Sequence, residues 1–165
     1  MKRWSFVGCV VSLAVILAGC VATGPTATEP AMSDQEMIAG AMALDAAFLA
    51  ALNAGNAAEI ASLYAPDAES FPPDILEVVG PQAIGEASAG AVQAMPGMSF
   101  EIIDSHHIVA GEYVFSWGRF RANIPMAGGE TQTSEGRYTD LKTIQGGKWV
   151  YVVDHASFPT MAESQ

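Results

Sequence analysis

The apolar residues of this chain change their spacing near residue 98, and this change restricts the fold more than any other feature. Before it, apolar residues recur at helical spacing in three segments, 34–53, 57–64 and 81–94. Ser33 with Glu36 matches a capping box that would begin the first helix. The first part of the chain therefore predicts three helices.

The second part of the chain predicts a sheet. Apolar and polar residues alternate there in long runs separated by glycine-containing turns, at 98–109, 112–124, 131–144 and 148–157. Strands joined by short turns pair antiparallel with their neighbours. Helices followed by such strands favour an α+β domain, with the helices packed on one face of a curved, mostly antiparallel sheet.

The first twenty residues have the pattern of an export signal. Lys2 and Arg3 precede an apolar core at 6–18, which is shorter than the roughly 20 residues of a membrane-spanning helix. The sequence Leu-Ala-Gly-Cys at 17–20 resembles a bacterial lipobox, which predicts cleavage before Cys20 and lipidation of that cysteine. An ordinary secretory signal and an uncleaved anchor are the alternatives.

The predicted domain organisation follows from this signal. After it, residues 21–32 are small and rich in threonine and proline and predict a flexible tether; 33–160 form the folded domain and 161–165 a tail. Val21 lies where an aspartate would signal retention at the inner membrane. The predicted location is therefore the cell envelope, with lipid anchoring to the outer membrane facing the periplasm if the cell has two membranes.

The net charge limits the classes of partner. The chain carries −11 at pH 7, and the loss of Lys2 and Arg3 would make it more negative. Such a surface repels nucleic acid and anionic lipid, so membrane attachment is expected through the lipid on Cys20 alone. His106 and His107 are adjacent in a predicted strand and point apart, and we expect no metal site and no cofactor.

Three segments together resemble the nuclear transport factor 2-like superfamily, which includes ketosteroid isomerases and SnoaL-like cyclases. They are FLAALNAGNAAEIASLYAPDA at 48–68, VVGPQAI at 78–84 and EGRYTDLKTIQGGKWVYVVDHAS at 135–157. The resemblance extends over residues 34–159. It implies a cone-like fold, in which the helices and the concave sheet face enclose a cavity, and it says little about activity because the fold has many functions.

The resemblance also implies which strand residues face that cavity. The implied inward residues are Tyr113, Phe115, Trp117 and Arg119 on one strand, Arg137, Thr139 and Leu141 on the next, and Val152, Asp154 and Ala156 on the last. Tyr64 is expected near the deep end. A shift of one residue in a strand would reverse each assignment on it.

The residues that carry ketosteroid isomerase chemistry are not found at the implied positions. The tyrosine position falls at Phe48, the base at Pro72 and the acid at Thr139, where a cyclase carboxylate is also expected. None of these side chains can transfer a proton or stabilise an oxyanion in the required way. The established isomerase chemistry is therefore not predicted.

The remaining residues predict a binding domain for a small apolar or amphipathic molecule. The predicted ligand-binding residues are Tyr64, Tyr113, Phe115, Trp117, Arg119, Thr139 and Asp154. Asp154 beside Arg119 is either a structural ion pair or the proton-transferring residue of an isomerase, dehydratase or cyclase. His155 is expected on the outer sheet face, and a homodimer or a partner protein on that face is the third possibility.

Overall fold

The computed structural model describes residues 32–159; the predicted signal, tether and Cys20 lie outside the described residues, as does the tail. Helix α1 spans Asp34–Asn53, α2 spans Ala57–Ala61 and α3 spans Pro81–Gln93. The predicted capping box is present: the backbone N–H of Glu36 donates to Ser33 Oγ, and that of Ser33 donates to the Glu36 carboxylate at 2.8 Å.

Six strands form one sheet. They are β1 Tyr64–Phe71, β2 Val78–Val79, β3 Ser99–Ala110, β4 Tyr113–Pro125, β5 Thr131–Gln145 and β6 Lys148–Ser157. Their order across the sheet is β2-β1-β6-β5-β4-β3. Neighbours are antiparallel except β1 and β6, which are parallel, so the mostly antiparallel α+β fold is confirmed.

The predicted second helix is too long at its C-terminal end. Helix α2 ends at Ala61, and Tyr64 begins β1 because the backbone N–H of Tyr151 on β6 donates to the carbonyl of Leu63 at 2.9 Å. Parallel pairing with β6 therefore holds the backbone in an extended conformation from Tyr64 onward. That partner is nearly ninety residues away, which local propensity does not reveal.

Helix α1 packs across the sheet. By length and composition it is apolar enough to span a membrane, but Met37, Ala41, Leu44 and Ala51 are buried in the folded domain. At Gly40 the helix packs directly against the sheet, because the indole of Trp149 on β6 occupies the space where a β-carbon would lie. Close packing of helix and strand thus fixes the position of α1 over the sheet.

The sheet face that α1 covers is called the inner face. On β4 it carries Val114, Ser116, Gly118, Phe120 and Ala122, all buried. On β5 it carries Gly136, Tyr138, Asp140 and Lys142. The residues that alternate with these along β4 and β5 form the outer face, because successive side chains of a strand point to opposite faces.

Strand β6 contains one extra residue. Leu141 pairs with Val153 and Lys142 pairs with Tyr151, so Val152 has no counterpart on β5. This is the pattern of a β-bulge. Because of it, Tyr151 and Asp154 both lie at the inner face although they are three positions apart.

Candidate active site

A cavity of about 480 Å³ lies between the helices and the inner face. Most of its wall is apolar, and it comes from α1, α3, the segments after β1, α3 and β6, and inward residues of the sheet. Apolar lining residues include Phe48, Leu49, Leu52, Pro72, Ile75, Met95, Met98, Phe100, Phe120 and Phe158. A concave, mainly apolar space with a few polar groups is typical of a small-molecule site.

The polar groups gather in one part of the wall, which we call the polar end: Asp45, Tyr64, Asp140, Tyr151 and Asp154. Helix α1 supplies the first, β1 the second, β5 the third and β6 the last two. The polar end therefore depends on the long-range pairing of β1, β5 and β6.

Asp154 is held by two hydroxyl groups. The Tyr64 hydroxyl donates a short hydrogen bond to Asp154 Oδ2, and Ser70 Oγ donates to Oδ1 at 3.2 Å. Burial raises the pKa of Asp154, although these hydrogen bonds oppose the rise. Burial and the nearby Asp154 raise the pKa of Tyr64 well above its usual value, so the phenol keeps its proton.

Lys142 lies behind the polar end and is completely buried. Its Nζ donates to the Asp45 carboxylate at 2.7 Å and to Ser116 Oγ at 2.9 Å. Tyr151 donates its hydroxyl proton to the other side of the same carboxylate, at 2.6 Å from Asp45 Oδ1. A buried cation requires such partners, since an isolated charge in the interior is very unfavourable.

Asp140 is the less well satisfied partner of Lys142. Its Oδ1 lies 2.9 Å from Lys142 Nζ, but the direction of approach is unsuitable for a hydrogen bond, and this buried oxygen has no other hydrogen-bond partner in residues 32–159. Burial raises the pKa of Asp140 to about 7, with Lys142 opposing and Asp45 adding to the rise. Near neutral pH this carboxyl group can both accept and donate a proton.

The two adjacent histidines point to opposite faces. His106 stacks on Trp117 of the outer face with ring centroids 5.5 Å apart, and His107 Nδ1 lies 3.0 Å from Ser116 Oγ on the inner face. Burial, followed by the nearby Lys142, lowers the pKa of His107. Within residues 32–159, no group of three or more histidine, cysteine, aspartate or glutamate residues could hold a metal ion.

The predicted orientation of β4 is wrong. Tyr113, Phe115, Trp117 and Arg119 lie on the outer face, between the buried inner residues, and Trp117 is 36% exposed. The register that the resemblance implied for this strand is therefore shifted by one residue. The inner face of β4 is instead occupied by small residues at Ser116 and Gly118, and the backbone of β3 leaves no room for a side chain at Gly118.

The predicted proximity of Arg119 and Asp154 is also wrong. Arg119 binds Asp104 on the outer face, with Nε and Nη2 at 2.8 and 2.6 Å from Oδ2. Asp154 reaches the cavity as predicted, with Tyr64 as its partner. His155 is exposed and pairs with Thr139 across the two strands, so it does not form a dyad with Asp154.

The orientation predicted for β5 is reversed as well. Arg137, Thr139 and Leu141 belong to the outer face, although Thr139 also borders the cavity from the edge of its wall. The position assigned to the isomerase acid was therefore shifted by one residue. Its neighbour Asp140 points inward, and the prediction that no carboxylate lies there is wrong.

On β6, the predicted inward orientation holds for only some of the residues. Two further positions, at which the resemblance implied isomerase residues, also reach the cavity. Asp154 and Ala156 line it, whereas Val152 is the bulged residue and is not part of the lining. Phe48 and Pro72 also line the cavity. Neither of these last two can act as an acid or base, so the isomerase tyrosine and base have no counterpart there.

Sequence reasoning missed Asp45, Ser70, Asp140, Lys142 and Tyr151. A usable signal was present for three of them, Asp45, Asp140 and Lys142, and the last two interrupt a run of β5 with charges two residues apart. Charged residues with that spacing lie on one face of a strand, and α1 holds an aspartate in its apolar stripe at Asp45. Charges at core positions are rarely buried without a partner.

Solved structures share this fold. A protein of unknown function from Pseudomonas putida KT2440 is 23% identical, with 82% of this chain and 94% of that chain covered and a TM-score of 0.68. A protein from Streptomyces avermitilis, provisionally named a dehydratase of the nuclear transport factor 2-like family, is 15% identical, with 79% and 100% covered and a TM-score of 0.70. Identities this low show the fold alone.

The sequence comparisons are consistent with the fold. No match was found among curated proteins. The profile of the SnoaL-like domain matches residues 46–152, which include the C-terminal part of α1, most of the sheet, and Tyr64, Asp140 and Tyr151 of the polar end. Asp45 and Asp154 lie just outside the matched range. The chain therefore belongs to the SnoaL-like domain family, and it shares its fold with solved proteins that are named as nuclear transport factor 2-like.

Proposed function

We propose that the domain binds a small, mainly apolar molecule in the cavity, with the polar part of the molecule at the polar end. The observation that supports this most directly is a cavity of about 480 Å³ with a mainly apolar wall and a group of hydrogen-bonding side chains at the polar end. A molecule that fills it would bury apolar surface and satisfy polar groups at one point, which is how such cavities achieve both affinity and orientation.

A cavity-filling variant tests this proposal. Ala156 lines the cavity, and Ala156→Phe should place a ring there. Ala83 is exposed on α3, so Ala83→Phe adds the same ring outside the cavity as a matched control. In a small-molecule screen by thermal shift and native mass spectrometry, ligands should stabilise the wild type and Ala83→Phe but not Ala156→Phe. Equal stabilisation of all three proteins would contradict binding in the cavity.

A second candidate function is proton transfer by Asp154 on the bound molecule. The specific observation is a carboxyl group with a raised pKa, bordering an apolar cavity and held by Tyr64 and Ser70. General acids and bases are tuned in this way by burial and by hydrogen bonds. Isomerase, dehydratase and cyclase reactions are the classes that such a group supports.

The test of catalysis is Asp154→Asn, which keeps the shape of the side chain and removes its proton transfer. Any turnover found with the wild type should fall by about a hundredfold or more, the usual contribution of a general acid or base. Asp67→Asn makes the same change at an exposed residue of β1 outside the cavity and should retain full turnover. Full activity of Asp154→Asn would exclude Asp154 from the chemistry.

We also propose that the domain is held in the cell envelope by a lipid on Cys20. The support is the sequence of residues 1–20. Cys20→Ser should abolish processing and the incorporation of labelled fatty acid, whereas Cys9→Ser should leave both unchanged. Continued labelling of Cys20→Ser would contradict lipidation at this residue.

The outer face supports a third proposal, association with a second copy of the chain. Trp117 on β4 and Ile108 on β3 are 36% and 51% exposed there. Exposed apolar residues grouped on one surface are typical of interaction sites. Light scattering should show a dimer that Trp117→Glu dissociates; a monomer at all concentrations would contradict the proposal.

A further inference from the structure

The charges around the cavity are unbalanced. Its lining residues include four aspartates, Asp45, Asp74, Asp140 and Asp154, and no lysine or arginine within residues 32–159. The nearest buried cation, Lys142, lies behind the wall and is used by Asp45, Asp140 and Ser116. A ligand that enters the cavity therefore meets four carboxyl groups, and His155 is the one basic side chain among the described lining residues.

The hydrogen-bond donors of the polar end are already used. Tyr64 donates to Asp154, and Tyr151 donates to Asp45. A phenol has only one proton to donate, whereas its oxygen and the carboxylate oxygens retain free lone pairs. The buried Oδ1 of Asp140, a residue that is 5% exposed, lies 2.9 Å from Lys142 Nζ but has no hydrogen-bond partner of suitable geometry within residues 32–159. The polar end thus offers mainly acceptors.

Aromatic rings surround the same point. Phe48, Tyr64 and Tyr151 form a cluster with ring centroids 5.1 to 6.1 Å apart, and all three line the cavity. The faces of aromatic rings carry partial negative charge and attract cations, including ammonium groups of ligands. Rings and carboxyl groups therefore favour the same kind of ligand.

We infer that the cavity takes an amphipathic molecule whose polar group is an ammonium cation, placed between the carboxyl groups of Asp140 and Asp154 and against the rings of Tyr64 and Tyr151. This inference rests on the proposed binding function and specifies the class of ligand. The ammonium group supplies the donors and the positive charge that the polar end lacks. An anionic ligand would be repelled, because four aspartates line the cavity and neither a lysine nor an arginine among the described lining residues compensates it.

The test uses three probes with the same alkyl chain, octylamine, octanol and octanoate, measured by calorimetry on the wild-type domain. Since the apolar part is identical, differences in affinity report the polar group. Octylamine should bind about tenfold more tightly than octanol, because hydrogen bonds to charged groups are roughly twice as strong as neutral ones, and octanoate should bind most weakly.

Variants locate the effect. Asp154→Asn and Asp140→Asn should each weaken octylamine binding on the order of tenfold and change octanol binding by less than about twofold. Asp67→Asn, with the same charge change outside the cavity, should leave all affinities unchanged, and Ala156→Phe should abolish binding. The last two variants exclude attraction of the amine to the acidic surface.

The outcomes separate this inference from the function on which it rests. Octanoate binding as tightly as octylamine, or octylamine binding no more tightly than octanol, overturns the inference and leaves cavity binding intact. Octylamine binding that persists in Ala156→Phe also overturns it. If none of the three probes binds, the cavity proposal fails and the inference fails with it.

Discussion

On the inner face of the sheet, the ammonium group of Lys142 is fully buried between two carboxyl groups, whereas on the outer face the guanidinium group of Arg119 pairs with Asp104 in contact with solvent. Both are ion pairs shorter than 3 Å. The two ion pairs differ in their access to water. Buried charges lose their hydration and depend on one another, while exposed ones retain it and depend little on the pair.

The pKa values show the same contrast. Burial raises the pKa of Asp140 to about 7 on the inner face even though Lys142 is adjacent. On the outer face, the hydrogen bond from Arg119 lowers the pKa of Asp104. For the solvent-exposed Asp104, the neighbouring cation has the larger effect on the pKa. For Asp140 beneath α1, burial has the larger effect. Four measurements can break or sharpen this comparison.

The largest effect should follow from removing the buried cation. Lys142→Met leaves Asp45 and Asp140 without a positive partner, and removing one side of a buried pair costs about 3 to 5 kcal/mol of unfolding free energy. Urea denaturation measures this loss. Lys148→Met, at an exposed residue of β6, should stay within about 0.5 kcal/mol of the wild type. A loss from Lys142→Met as small as that of the control would contradict the comparison.

The next effect is a pH dependence caused by Asp140. Because its pKa is about 7 in the folded state and 3.8 is the ordinary value, between these values the folded state holds a proton that the unfolded state has lost. Stability contributed by this residue should therefore fall as the pH rises from 3.8 to about 7, by roughly 4 kcal/mol at most.

Asp140→Asn isolates this contribution. The unfolding free energy of the wild type minus that of the variant should decrease over the same pH interval, because asparagine does not titrate. Chemical denaturation at a series of pH values measures the difference. A difference that is constant, or that increases with pH, would show that burial does not control this carboxyl group.

A smaller effect is expected for the tyrosine hydroxyl at the inner face. Tyr64→Phe removes the donor to Asp154 and leaves a buried carboxyl group with one hydrogen bond fewer, which costs about 1 to 3 kcal/mol. Tyr113→Phe removes the same hydroxyl from the outer face and should cost less than about 0.5 kcal/mol. Equal losses in thermal or urea unfolding would remove the distinction between the faces.

The smallest effect should come from the exposed pair. Arg119→Ala is expected to cost no more than about 1 kcal/mol, since the side chains of Arg119 and Asp104 are 57% and 34% exposed. The loss should shrink further in high salt, which screens exposed charges. A salt-independent loss of several kcal/mol would place this pair in the same class as the Lys142 cluster.

The order and ends of the strands could be predicted because glycine turns and period-two runs are local signals. The strand predicted at 148–157 has those bounds in the structure, and the one predicted at 112–124 begins and ends within one residue of β4. Tyr64 was misassigned to a helix, since its partner on β6 is distant in the sequence. Long-range pairing overrides local propensity there.

The faces of β4 and β5 were predicted in reverse. The resemblance implied that Tyr113, Phe115 and Trp117 face inward, but they lie on the outer face, and the inner face carries Ser116, Asp140 and Lys142 beside apolar residues. A resemblance in sequence does not fix the register of a strand, and a shift of one residue reverses its two faces. Asp154 was placed at the cavity, and its partner Tyr64 became evident only from the packing of β1 against β6.

The bulge at Val152 has a consequence for comparing relatives. Tyr151 and Asp154 reach the same cavity only because one residue of β6 is left unpaired between them. A relative without this residue would present the neighbour of its aspartate to the cavity, however similar the surrounding letters. An alignment of this chain with a relative that lacks the bulge therefore needs a one-residue gap in the last strand before the two are compared at this carboxyl group.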